Sequence, residues 1–98
     1  MAFVEVDKFP GFTTEDYERL MEAAYGGTEL LDGQLFFVVG TAGDTLVYVD
    51  GWQSREQCDA AMAKMMEAAS KLGMSFENMS HEEFEIYDLK AGSPALTA

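Results

Sequence analysis

Two neighbouring segments, residues 34–41 and 45–52, carry large apolar side chains on both faces of the strands that they predict. Successive side chains of a strand point to opposite faces, so Phe36 and Phe37 lie on different sides, and the second segment alternates in the same way. The connection TAGD between them is short and contains glycine, which is typical of a β-hairpin. Because both faces of this hairpin are apolar, the fold must cover both of them.

The remaining segments predict two helices and two more strands. Thr13 and Thr14 offer N-caps before an acidic turn, and Ser54 with Gln57 forms the pattern of a capping box. Apolar residues recur at helical spacing after both caps. The predicted elements are, in chain order, a strand over 3–9, a helix that ends at Gly26 and Gly27, strands over 34–41 and 45–52, a helix over 55–72, and a strand from Glu83 to Leu89.

This β-α-β-β-α-β order predicts an α+β, ferredoxin-like domain over residues 1–90, with two helices on one face of a four-stranded antiparallel sheet. Nothing in the chain is left to cover the other face. At about 25 cal/mol per Å² of apolar surface, leaving that face in water costs several kcal/mol. We therefore predict a homodimer, in which two sheets pack face to face into an α+β barrel. Residues 91–98 are predicted to form a flexible tail.

Charge and composition exclude several classes of partner. Eighteen acidic against six basic residues give a formal charge of -12, which repels nucleic acids and anionic lipid. The longest apolar run, residues 35–39, is too short to cross a membrane, and the N-terminus lacks the basic region of a signal peptide. Cys58 is the only cysteine, so no internal disulfide forms. We expect a cytoplasmic protein without nucleic-acid or membrane partners.

The pattern from Ala2 to Leu89 resembles the dimeric α+β barrel superfamily, which includes cofactor-independent antibiotic-biosynthesis monooxygenases, haem-degrading monooxygenases, isomerases and cyclases. Its most specific part is the segment 49–56, where a tryptophan stands two residues before the serine that caps the second helix. The resemblance implies a ligand cavity between the sheet and the partner. Haem-degrading members carry an asparagine on the first strand and a second tryptophan and a histidine on the second helix, which this chain lacks. No cofactor is expected.

Strand parity predicts which side chains reach that cavity. If the valines at 4, 6, 47 and 49 face the helices, the alternate residues face the dimer interface. That second set consists of Glu5, Asp7, Tyr48, Asp50, Trp52, Glu85 and Tyr87. A mostly apolar pocket with a few polar groups is typical of a small-molecule site.

The candidate catalytic residues are Glu5, Asp7, Tyr48, Tyr87 and His81. The two acids can raise each other's pKa and act as a base, and the tyrosines can donate a hydrogen bond to an enolate. His81 is a candidate proton carrier, in a loop where neighbouring acids raise its pKa. The structural alternatives are a solvated strand end for the acids and interface packing for the tyrosines.

The candidate ligand-binding residues are Phe37, Tyr48, Trp52 and Tyr87. Trp52 is otherwise a structural residue that closes the third strand over the interface, and Cys58 is a buried small side chain. One histidine and one cysteine on different elements predict no metal site.

Two functions remain open. The first is an enzyme acting on an apolar, aromatic or polyketide-like small molecule, as a cofactor-independent monooxygenase or as a cyclase or isomerase. The second is a non-catalytic ligand-binding or dimerisation module, since one fold serves many functions.

Overall fold

The computed structural model of the chain describes residues 1–27 and 29–92, so residues 93–98 of the predicted tail lie outside it. Its elements follow the predicted β-α-β-β-α-β order, and the α+β, ferredoxin-like fold is confirmed. They are β1 (Phe3–Pro10), α1 (Thr14–Tyr25), β2 (Gln34–Ala42), β3 (Thr45–Trp52), α2 (Arg55–Lys71) and β4 (Ser80–Glu85).

Short-range signals set most of these boundaries. The Thr13 side chain accepts a hydrogen bond from the backbone of Asp16, whose carboxylate accepts one in return, and this capping box starts α1. The Ser54 side chain caps α2 by accepting from the backbone of Gln57. The β2–β3 hairpin turns at Gly43, whose φ of 63° is a left-handed conformation that suits glycine.

The four strands form one antiparallel sheet in the order β2-β3-β1-β4. Residues of α1 and α2, among them Leu20, Met21 and Met65, pack with Phe9 and Leu46 of the sheet in one buried core. Both helices therefore lie on the same face, as predicted. Within the described part of the chain, no helix is long and apolar enough to cross a membrane.

The last strand begins and ends earlier than predicted. β4 runs from Ser80 to Glu85, whereas the sequence predicted Glu83 to Leu89. The physical reason for the early end is the length of its partner strand, β1. Phe3, the first residue of β1, pairs with Glu85, and one further hydrogen bond joins the backbone N–H of Ile86 to Ala2. Beyond that point β1 offers no groups to pair with.

The predicted assignment of the two sheet faces is wrong. The buried residues beneath the helices are Phe3, Glu5, Asp7 and Phe9 of β1 and Leu46, Tyr48, Asp50 and Trp52 of β3. The valines at 4, 6, 47 and 49 lie on the opposite, open face, where Val4 is buried and the other three are half-buried. Apolar residues on both faces made the pattern ambiguous, and the helices cover the face with the larger aromatic side chains.

The open face carries an apolar surface. Val38 and Phe84 are each 57% exposed there, and Phe36 lies beside Phe84. A contiguous apolar surface of this kind is typical of an interaction site.

Candidate functional site

Three acidic side chains lie buried between the sheet and the helices. Glu5 stands directly opposite Asp50 in the β1–β3 ladder, and Asp7 is two residues further along the same face of β1. All three are more than nine-tenths buried, and each offers an oxygen within 4.8 Å of the others. Buried acids are rare unless they are paired, so we call these three the acid cluster.

Asp50 is held by two neighbours on the sheet. Trp52 Nε1 donates a 2.7 Å hydrogen bond to Asp50 Oδ2, and Gln34 Nε2 lies 3.5 Å from the same oxygen. The other oxygen, Oδ1, is buried without a partner. Desolvation, with the nearby charge of Glu5, raises the pKa of Asp50 to about 6, although the bonds from Trp52 and Gln34 oppose that rise.

Glu5 is held from helix α2. Cys58 Sγ donates a 2.8 Å hydrogen bond to Glu5 Oε1, while Oε2 is buried without a partner. Burial raises the pKa of Glu5, and burial and the contact with Glu5 together raise the pKa of the Cys58 thiol. Cys58 is buried as predicted, and it also holds a carboxyl group in place.

Asp7 connects the cluster to the surface through β4. Its carboxylate contacts His81 Nδ1, and His81 Nε2 lies 2.6 Å from Glu83 Oε2. Arg55 Nη1 in turn donates a 2.9 Å hydrogen bond to Glu83. His81 is therefore part of the sheet, between two acids, rather than in the loop that the sequence predicted.

The charges of His81, Glu83 and Asp7 are set by the groups that these side chains contact. Burial lowers the pKa of His81, but its bonds to Glu83 and Asp7 outweigh that effect and raise the pKa to about 9. The bond from Arg55, with that from His81, lowers the pKa of Glu83 to about 2. Burial raises the pKa of Asp7, and the bond to His81 opposes the rise. An imidazolium thus balances the charge of Asp7.

No such balance exists for the other two acids. In residues 1–27 and 29–92, no lysine, arginine or histidine forms an ion pair with Glu5 or Asp50. The three acids of the cluster therefore have different electrostatic surroundings. Asp7 is the member with a cationic partner, His81, and Glu5 and Asp50 are the members without one.

A small cavity of about 20 Å³ lies against the cluster. Gln34, Phe37, Tyr48 and Trp52 line it from the sheet, together with the three acids, and apolar side chains line it from the helices. A space of this size holds about one water molecule. Burial also raises the pKa of Tyr48, whose hydroxyl group stays protonated and can act only as a neutral donor or acceptor.

The predicted site residues divide into two groups. Glu5, Asp7, Phe37, Tyr48 and Trp52 line the cavity together, although it lies beneath the helices and not at the open face. His81 reaches it through Asp7. Tyr87 lies beyond the end of β4, is fully exposed and is absent from the lining, and Glu85 is exposed at the end of β4.

Three residues of the site were not predicted: Gln34, Cys58, and Tyr25, which lines the cavity from the end of α1. One signal was present in the sequence. Asp50 and Gln34 are polar residues in strands that are otherwise apolar, and such residues are buried only with hydrogen-bond partners. The contact of Cys58 with Glu5 joins residues 53 positions apart, and no local pattern predicts it.

The carboxylate oxygens of the acid cluster lie close enough to one another to bind a single cation. However, Cys58, Trp52 and His81 each already occupy one oxygen of a different acid. We assign no metal to it.

Comparisons with known proteins agree on the fold. No protein-family model matches this sequence, and no curated protein matches it significantly. Among solved structures, Rv0793 from Mycobacterium tuberculosis superposes with a TM-score of 0.68 at 14% identity, over 93% of this chain and 100% of that one.

Two oxygenases share the same fold. SnoaB, a cofactor-independent oxygenase from Streptomyces nogalater, gives a TM-score of 0.63 at 13% identity, over 90% of this chain and 95% of that one. A monooxygenase from the gene ActVA-Orf6 of Streptomyces coelicolor, in complex with nanaomycin D, gives 0.57 at 22% identity, over 93% and 92%. The predicted resemblance to antibiotic-biosynthesis monooxygenases is confirmed for the fold, which is all that identities this low show.

Proposed function

We propose that the protein is an enzyme that removes a proton from a small apolar, aromatic or polyketide-like substrate. The observation that carries the proposal is Asp50. It is a buried carboxyl group with one unpartnered oxygen and a pKa raised to about 6, and it faces a cavity lined by aromatic rings. A general base works best when its pKa lies near the working pH.

The surrounding residues have distinct roles in this proposal. Asp50 Oδ1 accepts the proton, and the bonds from Trp52 and Gln34 to Oδ2 fix the direction in which Oδ1 points. Phe37 and Tyr48 pack against the substrate ring. The protonated Tyr48 hydroxyl is a candidate donor to an enolate oxygen.

The substrate anion then has two fates. In a monooxygenase, a carbanion formed at a CH₂ group reacts with molecular oxygen to give a hydroperoxide. Loss of water from it leaves a carbonyl group, so that CH₂ and O₂ become C=O and H₂O without a cofactor. In a cyclase or isomerase, the anion attacks or shifts within the substrate, and the proton returns from Asp50. The cofactor-independent oxygenase with the same fold favours the first fate.

The enzyme acts as a homodimer in this proposal. Its open sheet face, with Val38 and Phe84 exposed, is covered by the same face of a second copy. Such an interface is self-complementary, as a two-fold dimer requires. Because the acid cluster lies beneath the helices of its own protomer, each copy holds a complete cluster.

The test uses 1,8-dihydroxyanthrone, whose CH₂ group is acidic and lies between two aromatic rings. We expect conversion to the anthraquinone above the spontaneous rate, with one ¹⁸O atom incorporated from ¹⁸O₂, measured by mass spectrometry. Asp50→Asn should lower the rate by about 100-fold or more, the usual contribution of a general base. Asp59→Asn, at an exposed position of α2, is the matched control and should retain full activity.

The second candidate function is non-catalytic ligand binding. The observation that favours it is the size of the cavity, about 20 Å³, which leaves no room for a substrate unless the protein opens. The two functions differ in one measurement. A ligand that binds tightly but is converted no faster than in buffer, under air and under nitrogen, would contradict the enzyme and support the binding module.

A further inference from the structure

The cavity at the acid cluster is small, but a larger pocket lies directly outside it. This outer pocket has a volume of about 360 Å³, within the range of small-molecule sites. Its lining includes Tyr25, Leu31 and Ala61, and the same three residues line the inner cavity. A thin wall of three residues therefore separates the two spaces.

A second opening meets the cavity at the same wall. A surface depression beside Gly26, Gly27 and Leu30 shares Tyr25 and Leu31 with the inner cavity. Tyr25 thus borders both outer spaces and the inner one. The opposite wall is the sheet itself, whose backbone is paired on both sides along β3.

Tyr25 closes the wall with a single polar contact. Its hydroxyl group donates a 2.6 Å hydrogen bond to the backbone oxygen of Ala61 on α2. Tyr25 is also the last residue of α1, and Gly26 follows it with a φ of 77°. The side chain therefore stands at a helix end, where one hydrogen bond and ring packing hold it across the entrance.

We propose that the outer pocket is the entrance of the ligand site and that Tyr25 is its gate. A flat hydroxyaromatic ligand displaces the Tyr25 ring, packs between Leu31 and Ala61, and directs its hydroxyl group toward the acid cluster. The unpartnered Oε2 of Glu5 accepts that hydrogen bond, which leaves Asp50 Oδ1 free. This inference rests on the proposed function only in placing the ligand at the cluster.

The test follows binding of 1,8-dihydroxyanthraquinone, which lacks the reactive CH₂ group, by quenching of Trp52 fluorescence. Trp52 is the only tryptophan and lines the inner cavity, so quenching reports entry. Tyr25→Phe keeps the ring and removes the hydrogen bond. We expect its association rate to rise by about fivefold, the factor that one ordinary hydrogen bond supplies.

A second variant blocks the entrance without touching the gate or the acids. Ala60 lies on the exposed side of α2 and lines the outer pocket, so Ala60→Phe fills that pocket with little effect on folding and leaves Trp52 as the only tryptophan. We expect its affinity for the probe to fall at least tenfold. Tyr87→Phe, the same change at an exposed tyrosine, is the matched control and should bind like the wild type.

Circular dichroism confirms that each variant is folded. Saturable quenching of Trp52 that is faster in Tyr25→Phe and weaker in Ala60→Phe supports the gate. Equal binding by both variants and the wild type overturns it, and so does the absence of saturable quenching in the wild type. Gated binding without conversion of the anthrone contradicts only the proposed chemistry.

Discussion

Replacing Asp50 with asparagine should stabilise the protein at neutral and alkaline pH, because the cluster holds a carboxyl group that is costly to ionise. Burial raises its pKa from the ordinary value of 3.8 to about 6. The folded state therefore binds a proton that the unfolded state has already released between these pH values. The free energy of unfolding thus falls as pH rises through that interval.

The size of the effect follows from the same interval. Each pH unit is equivalent to about 1.4 kcal/mol, so ionisation of Asp50 costs the folded protein about 3 kcal/mol above pH 6. The pKa of about 6 already includes the bonds from Trp52 and Gln34 to the ionised carboxylate, and an asparagine oxygen accepts the same two bonds. We expect Asp50→Asn to be more stable than the wild type by about 3 kcal/mol at pH 8. The advantage should disappear below pH 4.

Urea unfolding monitored by circular dichroism at pH 4 and pH 8 measures this difference directly. Protein concentration is kept constant, because a dimer's stability depends on it. Asp59→Asn removes the same charge at an exposed position and should differ little from the wild type at either pH. Lower stability of Asp50→Asn at pH 8, or a difference independent of pH, would refute the account of the acid cluster.

Three further predictions concern the open face of the sheet, the ion pair of Asp7 with His81, and the Cys58 thiol. Val38→Asp should convert the proposed dimer to a monomer in sedimentation velocity, whereas Asp59→Asn should not; an unchanged mass would exclude pairing through the open face. The pKa of His81 is raised to about 9, so its stabilisation is complete below pH 6.5 and is lost through pH 9. His81→Gln should therefore lower the unfolding free energy by about 1 kcal/mol at pH 6, a figure reduced for an exposed side chain. Cys58 should react with a thiol reagent only after unfolding, and rapid reaction of the native protein would contradict its burial against Glu5.

Local sequence patterns determined the elements and their order. The Thr13 and Ser54 caps and the TAGD turn act over three or four residues, so the sequence alone predicts them. The order of these elements then predicted the ferredoxin-like fold, with two helices on one side of the sheet. Strand parity also correctly predicted that five side chains share one face of the sheet: Glu5, Asp7, Tyr48, Asp50 and Trp52.

The tertiary structure decided which face that group occupies. Both faces of β1 and β3 carry large apolar side chains, so the hydrophobic pattern fits either orientation. The observed orientation places the larger aromatic side chains beneath the helices, and it also brings Cys58 of α2 into contact with Glu5. Strand parity is a local property, and it determined which residues lie together. Burial of their charges depends on partners supplied by other elements, and only the folded chain brings those partners to the cluster.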